Sequence, residues 1–195
     1  TWVIHQDKYD QYWFNNLFTA DLYSLKGDSL NQIKQWHQAE ENVFLYQIYE
    51  NSSDTAWLAT SKGIFSLHLQ KKEIMERYWS KGRGKYLLPY DNIQHILPEK
   101  ENTFWLSTAK EGLVKWSPKE GVIKKYGRLE GLPSNNVYAC YKDQKGNLWL
   151  STEYGIAHIN HGANKIRSYT EKDGLTSNEF NRISYLQDEE NGRIY

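Results

Sequence analysis

Residues 146–159, GNLWLSTEYGIAHI, bring together two hydroxyls (Ser151, Thr152), a carboxylate (Glu153), a phenol (Tyr154) and an imidazole (His158). Hydroxyl, carboxylate and imidazole are the parts of a nucleophilic or acid–base site, provided the base reaches the group it activates. His158 and His161, three residues apart, also raise metal ligation. Each reading meets an obstacle in the sequence itself. There is no Gly-x-Ser-x-Gly elbow, no carboxylate at zinc-ligand spacing beside the histidines, no Gly-rich phosphate loop and no calcium loop of Asp-x-Asn-x-Asp type. The sequence therefore assigns no catalytic residue, no metal ligand and no cofactor.

A stronger objection is that the stretch recurs. DTAWLATSKGIFSL starts at Asp54, NTFWLSTAKEGLVKW at Asn102 and a looser DQYWFNNLFTADLYSL at Asp10. The marker residues Trp13, Trp57, Trp105 and Trp149 are 44, 48 and 44 residues apart. Asp7, Glu50, Glu99, Asp143 and Asp188 precede the markers on the same beat, and Trp36, Trp79, Tyr126 and Tyr169 close the units. A nucleophile is not needed in every copy, so Thr60, Thr108 and Thr152 read as hydroxyls bonding turn backbone. The acidic residues before the turns read as turn formers for the same reason. His158 is matched by Ser66 and Lys115 in sibling units and reads as a solvent-facing strand residue.

The elements that carry these residues are short and β-rich. In the clearest unit, 136–143 alternates as a strand, 144–147 turns, 148–152 is a second strand, 156–160 a third and 166–170 a fourth. No segment sustains a helical apolar spacing over three turns, and Gly or Asn-Gly interrupts about every ten residues. Four-stranded antiparallel sheets, A to D, repeating at about 43–49 residues define an all-β fold of β-propeller blades. A blade cannot bury both faces alone, so the marker Trp and the closing aromatic are expected to fill the wedge between neighbours. Gly63, Gly112 and Gly155 mark a B-to-C turn that needs positive φ or close backbone approach. The expected blades are 1–36, 43–79, 92–127, 136–170 and an incomplete 179–195. Four blades and the start of a fifth imply part of a larger propeller, with seven blades expected.

Composition narrows the class of partner. The 195 residues hold 24 acidic and 24 basic side chains, a formal net charge of zero, which removes the electrostatic argument for nucleic acid or an anionic membrane. Eight Trp and fifteen Tyr make an aromatic core necessary. No apolar run reaches the roughly 18–20 residues of a membrane span, and no signal-peptide pattern opens the chain. The first residue is Thr1, which suggests processing or a piece of a longer polypeptide. Cys140 is the sole cysteine, so no disulfide framework exists. Asn51-Ser52-Ser53 matches a glycosylation sequon, a short motif given little weight.

With the repeat in place, GLPSNNVYACYKDQKGNLWLSTEYGIAHIN (131–160) closely resembles the two-component regulator propeller repeat, with Leu150-Ser151 standing where that consensus has Ile-Gly. DGLTSNEFNRISYLQDEENGRIY (173–195) resembles the last blade of such propellers. The resemblance implies a sensing role in the extracytoplasmic, periplasmic part of an inner-membrane protein. It further implies further blades, a Tyr-rich sandwich domain, a membrane span and an intracellular histidine kinase or DNA-binding module in the same polypeptide. A homodimer of the full-length sensor and an oligosaccharide ligand are implied likewise. Nucleic acid is not expected as a partner of this segment.

The ligand is expected on one loop face. In this strand order the D-to-A and B-to-C loops share a side, and several of their residues differ from blade to blade, as a specific site on a regular frame requires. The candidates are Tyr90, Asp91, Asn92, Lys110, Glu111, Asn135, Asn136, Glu153, Tyr154, Asn178 and Glu179, with Glu41, Asn42, Lys62, Ser134 and Ser177 on the same face. Taken singly, each is as well explained as a wet loop residue; the face as a whole points to binding. A non-enzymatic sensor leads. A protein-interaction scaffold and a propeller lyase or glycoside hydrolase are the alternatives. The last requires a unique carboxylate pair, and the acids here are repeated or scattered.

Overall fold

The computed structural model describes residues 3–15, 21–33, 43–51, 53–82, 87–100, 102–160, 162–163, 165–180, 187–188 and 193–194. Trp36, Glu41, Asn42, Ser52, His161 and Tyr195 lie outside them. Alternating apolar residues between Gly-, Asp- and Asn-bearing turns give four sheets of four antiparallel strands each. They are β1–β4 (Ile4–Gln6, Tyr12–Asn15, Leu22–Lys26, Ser29–Gln32), β5–β8 (Leu45–Glu50, Thr55–Thr60, Gly63–His68, Glu73–Tyr78), β9–β12 (Ile93–Lys100, Thr103–Thr108, Leu113–Ser117, Gly121–Tyr126) and β13–β16 (Val137–Lys142, Leu148–Thr152, Gly155–Asn160, Lys165–Tyr169). A hairpin of β17 (Gln187–Asp188) and β18 (Arg193–Ile194) follows. Each sheet is a meander with neighbours in chain order, the blade of a β-propeller.

The core lies between blades, and strand alternation builds it. On β6, Ala56 and Leu58 face blade 1 while Trp57 and Ala59 face blade 3. Trp13 and Leu22 thus pack with Leu45, Ile48, Leu58 and Leu67. Trp57 and Ile64 pack with Ile96, Phe104 and Trp116. Trp105, Leu113 and Tyr126 pack with Cys140, Leu150 and Ile159. Trp13, Trp57 and Trp105 each point at the following blade, the wedge-filling position. Burial keeps the Cys140 thiol protonated, its pKa driven far up.

In blades 3 and 4 the closing aromatic pairs with the marker of its own blade: Trp105 stacks on Tyr126 and Trp149 on Tyr169, both at 5.8 Å. In blade 2 the residue in that register is Tyr78, 5.9 Å from Trp57, and not Trp79. Trp79 follows the strand and receives the Arg77 guanidinium over its face at 4.1 Å. The adjacent aromatics hid this one-residue offset, which alternation decides.

His158 also departs from expectation. It sits directly across from Trp149, half-buried, with ring centroids 4.3 Å apart, and so is a packing partner of the marker and not a solvent-facing residue. A further regularity was invisible in the sequence. Each inner strand of blades 2 to 4 bulges near its start, where the pairing register steps over Tyr46, Gln94 and Tyr138.

Candidate functional site

The loop face is held by one arrangement repeated three times. Gly63, Gly112 and Gly155 have φ of 106°, 77° and 85°. A Cβ on any of them would collide with the backbone carbonyl of Tyr78, Tyr126 or Tyr169. Both conditions exclude side chains there. The freed amides donate across to the next D-to-A loop: Gly63 N to Asp91 O (2.6 Å), Gly112 N to Asn135 O (2.8 Å) and Gly155 N to Asn178 O (2.7 Å). Thr60, Thr108 and Thr152 each donate Oγ1 to the carbonyl of that glycine and accept an amide of the turn. The threonine hydroxyls are therefore turn fixtures, bonded to backbone on both sides.

On the opposite face, the acid before the A-to-B turn holds both the turn and the marker in blades 1 and 4. Asp143 accepts from the amides of Lys145 and Asn147, from Asn147 Nδ2 and from Trp149 Nε1 (3.2 Å). Asp7 does the same with Tyr9, Gln11 and Trp13 (2.8 Å). Burial alone would raise these carboxyl pKa values, but the donated hydrogen bonds outweigh it and lower both. Glu99 binds Trp105 Nε1 and Lys115 and is lowered too, against the same burial. Glu50 is turned instead to His5 and Lys8 of blade 1, leaving Trp57 Nε1 buried with no hydrogen-bond partner.

The eleven candidates fall into three groups. Asp91, Asn135 and Asn178 are equivalent fixtures, whose side chains bind their own loops. Asp91 accepts from Ser80 N and Oγ, Asn135 from Arg128 N and Asn178 from Glu171 N. A second group pairs within the chain. Lys110 lies over the Tyr90 ring at 5.9 Å, Glu111 forms an ion pair with Lys125, and Asn136 accepts from Gln94 Nε2 at 2.7 Å. Asn92 offers its carbonyl to Ala109 N, while its Oδ1 is buried without a partner. Glu153, Tyr154 and Glu179 form the third group, brought together with Asn178 around one cleft of about 900 Å3.

Residues that the sequence did not single out complete this cleft. Arg128 and Pro133 come from the loop before blade 4, Ser168 and Thr170 from the end of β16, and Glu171 from the loop after it. Two 3-10 turns, Arg128–Glu130 and Glu171–Asp173, shape these loops identically, each ending at a left-handed glycine, Gly131 or Gly174. Ser134, deep in the cleft wall, donates to Glu153 Oε2 at 3.3 Å. Tyr154 is 54% exposed beside it. Ser168 escaped notice because it sits on a strand; only its siblings' side chains reveal it. Among the described residues, no three His, Cys, Asp or Glu side chains are grouped to hold a metal ion. None of the helices there is long and apolar enough to cross a membrane.

The meander sheets and this loop face define a β-propeller fragment with a cleft between adjacent loops. Residues 131–154 match the two component regulator propeller family, so the chain carries a repeat of that family. Two solved structures are extracellular domains of hybrid two component systems from B. thetaiotaomicron, BT3049 and BT4673. Their TM-scores are 0.80 and 0.76 at 22% and 17% identity, over 98% of this chain. The chain spans about a quarter of their length, 25% and 27%. A virginiamycin B lyase from Staphylococcus aureus shares the fold at TM-score 0.64 and 13% identity, covering 90% of this chain and 56% of that one. A histidine kinase of Formosa agariphila is 39% identical over 56 residues, which is 29% of this chain and 4% of the kinase.

Proposed function

We propose that this chain is a ligand-sensing part of the extracytoplasmic propeller of a two-component regulator, that it binds without turnover, and that its ligand is an oligosaccharide. The observation that carries the reading is the cleft of about 900 Å3 on the loop face. In its wall Glu153, Tyr154 and Ser168 differ from their equivalents in blades 2 and 3, while Asn178 repeats Asn135 and Ser177 repeats Ser134. Tyr154 offers an exposed ring for a sugar face, and Ser168, Thr170 and Ser177 offer hydroxyls to pair with a sugar's own. The family of the 131–154 repeat and the hybrid-system ectodomains that share the fold support the sensing role. Location outside the inner membrane, the remaining blades and an intracellular kinase or DNA-binding module belong to the same proposal.

Isothermal titration of the complete protein against a panel of oligosaccharides tests it. At least one should bind in a way that Tyr154→Ala weakens about tenfold, with no product formed on prolonged incubation. Binding by no member, or steady product formation, contradicts the reading.

A further inference from the structure

The cleft exists because blade 4 lacks an arm that blades 2 and 3 possess. The residue before the closing tyrosine is Arg77 in blade 2, Lys125 in blade 3 and Ser168 in blade 4, paired across the sheet with Phe65, Val114 and Ala157 respectively. In the first two, a long basic side chain crosses to the B-to-C turn of its own blade. Arg77 Nε donates to Lys62 O at 3.1 Å, and Lys125 Nζ pairs with the Glu111 carboxylate. Ser168 is too short to cross, and the space it leaves is part of the cleft.

Carboxylates remain beside it. Glu153 lies on the B-to-C turn of blade 4 at the position of Ala109, just before Tyr154, which corresponds to Glu111, and Glu171 and Glu179 share its cleft from the next loop. Arg128 is the one cation among the cleft residues, so three carboxylates against one guanidinium leave a formal excess of two negative charges. Such a cleft favours a cation and disfavours a carboxylated or sulfated ligand.

Resting on the oligosaccharide reading above, we infer that the ligand carries an amino sugar whose ammonium group occupies the space that the Lys125 side chain fills in blade 3 and Ser168 leaves open in blade 4, among the carboxylates of Glu153, Glu171 and Glu179. The fold already shows this recognition once, with the cation supplied by the chain itself. Tyr154 and the flanking hydroxyls favour a sugar ring over a lysine side chain as the carrier of the charge.

Calorimetry on the complete protein, with the tetramers of glucosamine and of N-acetylglucosamine and with tetralysine, tests this. The glucosamine tetramer should bind at least about tenfold more tightly than its acetylated counterpart, a difference of about 1.4 kcal/mol, and should weaken as salt is raised. Ser168→Lys should fill the cleft with the protein's own ammonium and lose at least about tenfold in affinity, a larger loss than that of Ser168→Ala, which removes one hydroxyl and leaves the cleft open. Equal thermal stability of the two variants separates occlusion from misfolding. Equal or tighter binding of the acetylated tetramer, or unchanged binding by Ser168→Lys, overturns this inference while leaving the oligosaccharide reading standing. Binding of tetralysine alone overturns the sugar as carrier. Failure of every glycan overturns both readings.

Discussion

Blades 3 and 4 share one loop frame and use it oppositely. Around blade 3 the variable residues satisfy one another, Lys125 with Glu111 and Lys110 with Tyr90. Around blade 4, Ser168 stands in place of Lys125 and Tyr154 in place of Glu111, Glu153 precedes Tyr154 on the turn, and a cleft opens. The backbone fixtures do not differ: Gly112 and Gly155 donate to Asn135 and Asn178, and Thr108 and Thr152 bind the glycine carbonyls. On the proposed reading, specificity would be set by side-chain length and charge at three or four positions, on a frame whose glycines and threonines do not change between blades 3 and 4.

The frame is where substitution should cost most. Gly112→Ala and Gly155→Ala each place a methyl group against a carbonyl and demand φ near 80° of an L-residue. Each is expected to lower unfolding free energy by about 3 kcal/mol or more, measured by urea denaturation, and by similar amounts in the two blades. A large difference between them would show that the frame is not shared after all.

The marker tryptophans break the symmetry more gently. Trp13→Phe removes an indole that donates to buried Asp7, whereas Trp57→Phe removes one whose Nε1 has no partner. The first should cost about 1–3 kcal/mol more than the second. Equal losses would place the value of these residues in packing alone.

Acid sharpens the same contrast. Asp7 and Asp143 have lowered pKa values in the folded chain. The stability they contribute is complete above the ordinary carboxylate pKa and is lost as pH falls through the lowered folded value. Asp143→Asn should flatten part of the acid limb of a stability–pH curve below about pH 4.

The smallest effect is expected at the Lys125–Glu111 pair, whose side chains are 41% and 34% exposed. A double-mutant cycle should return about 0.2–1 kcal/mol. Its interest lies elsewhere, since Lys125→Ser should open beside blade 3 a second cleft of the blade 4 kind.

Much of this was written in the sequence because repetition exposes the frame. Four tryptophans, three glycines and three threonines on one period specify blade, turn and face, and the structure finds all but the first blade's turn among the described residues. Adjacent aromatics blurred the register at Tyr78 and Trp79. His158 looked solvent-facing because cross-strand stacking on Trp149 depends on which residues oppose each other. The inner-strand bulges insert a residue without any composition signal. At the cleft, Glu153, Tyr154 and Glu179 were legible as loop residues that vary, while Asp91, Asn135 and Asn178 looked equally eligible and proved to hold their own loops. Ser168 carried no signal of its own. A serine near a strand end means little until a lysine and an arginine are found in its place on either sibling.

Hydrogen–deuterium exchange of the complete protein, with and without a bound oligosaccharide, tests the central claim most directly. Ligand should slow exchange at 153–154 and 168–179 and leave 109–111 and 125–127 unchanged. Protection spread equally over both blades, or confined to blade 3, would contradict the assignment of the site to the blade that lacks its arm.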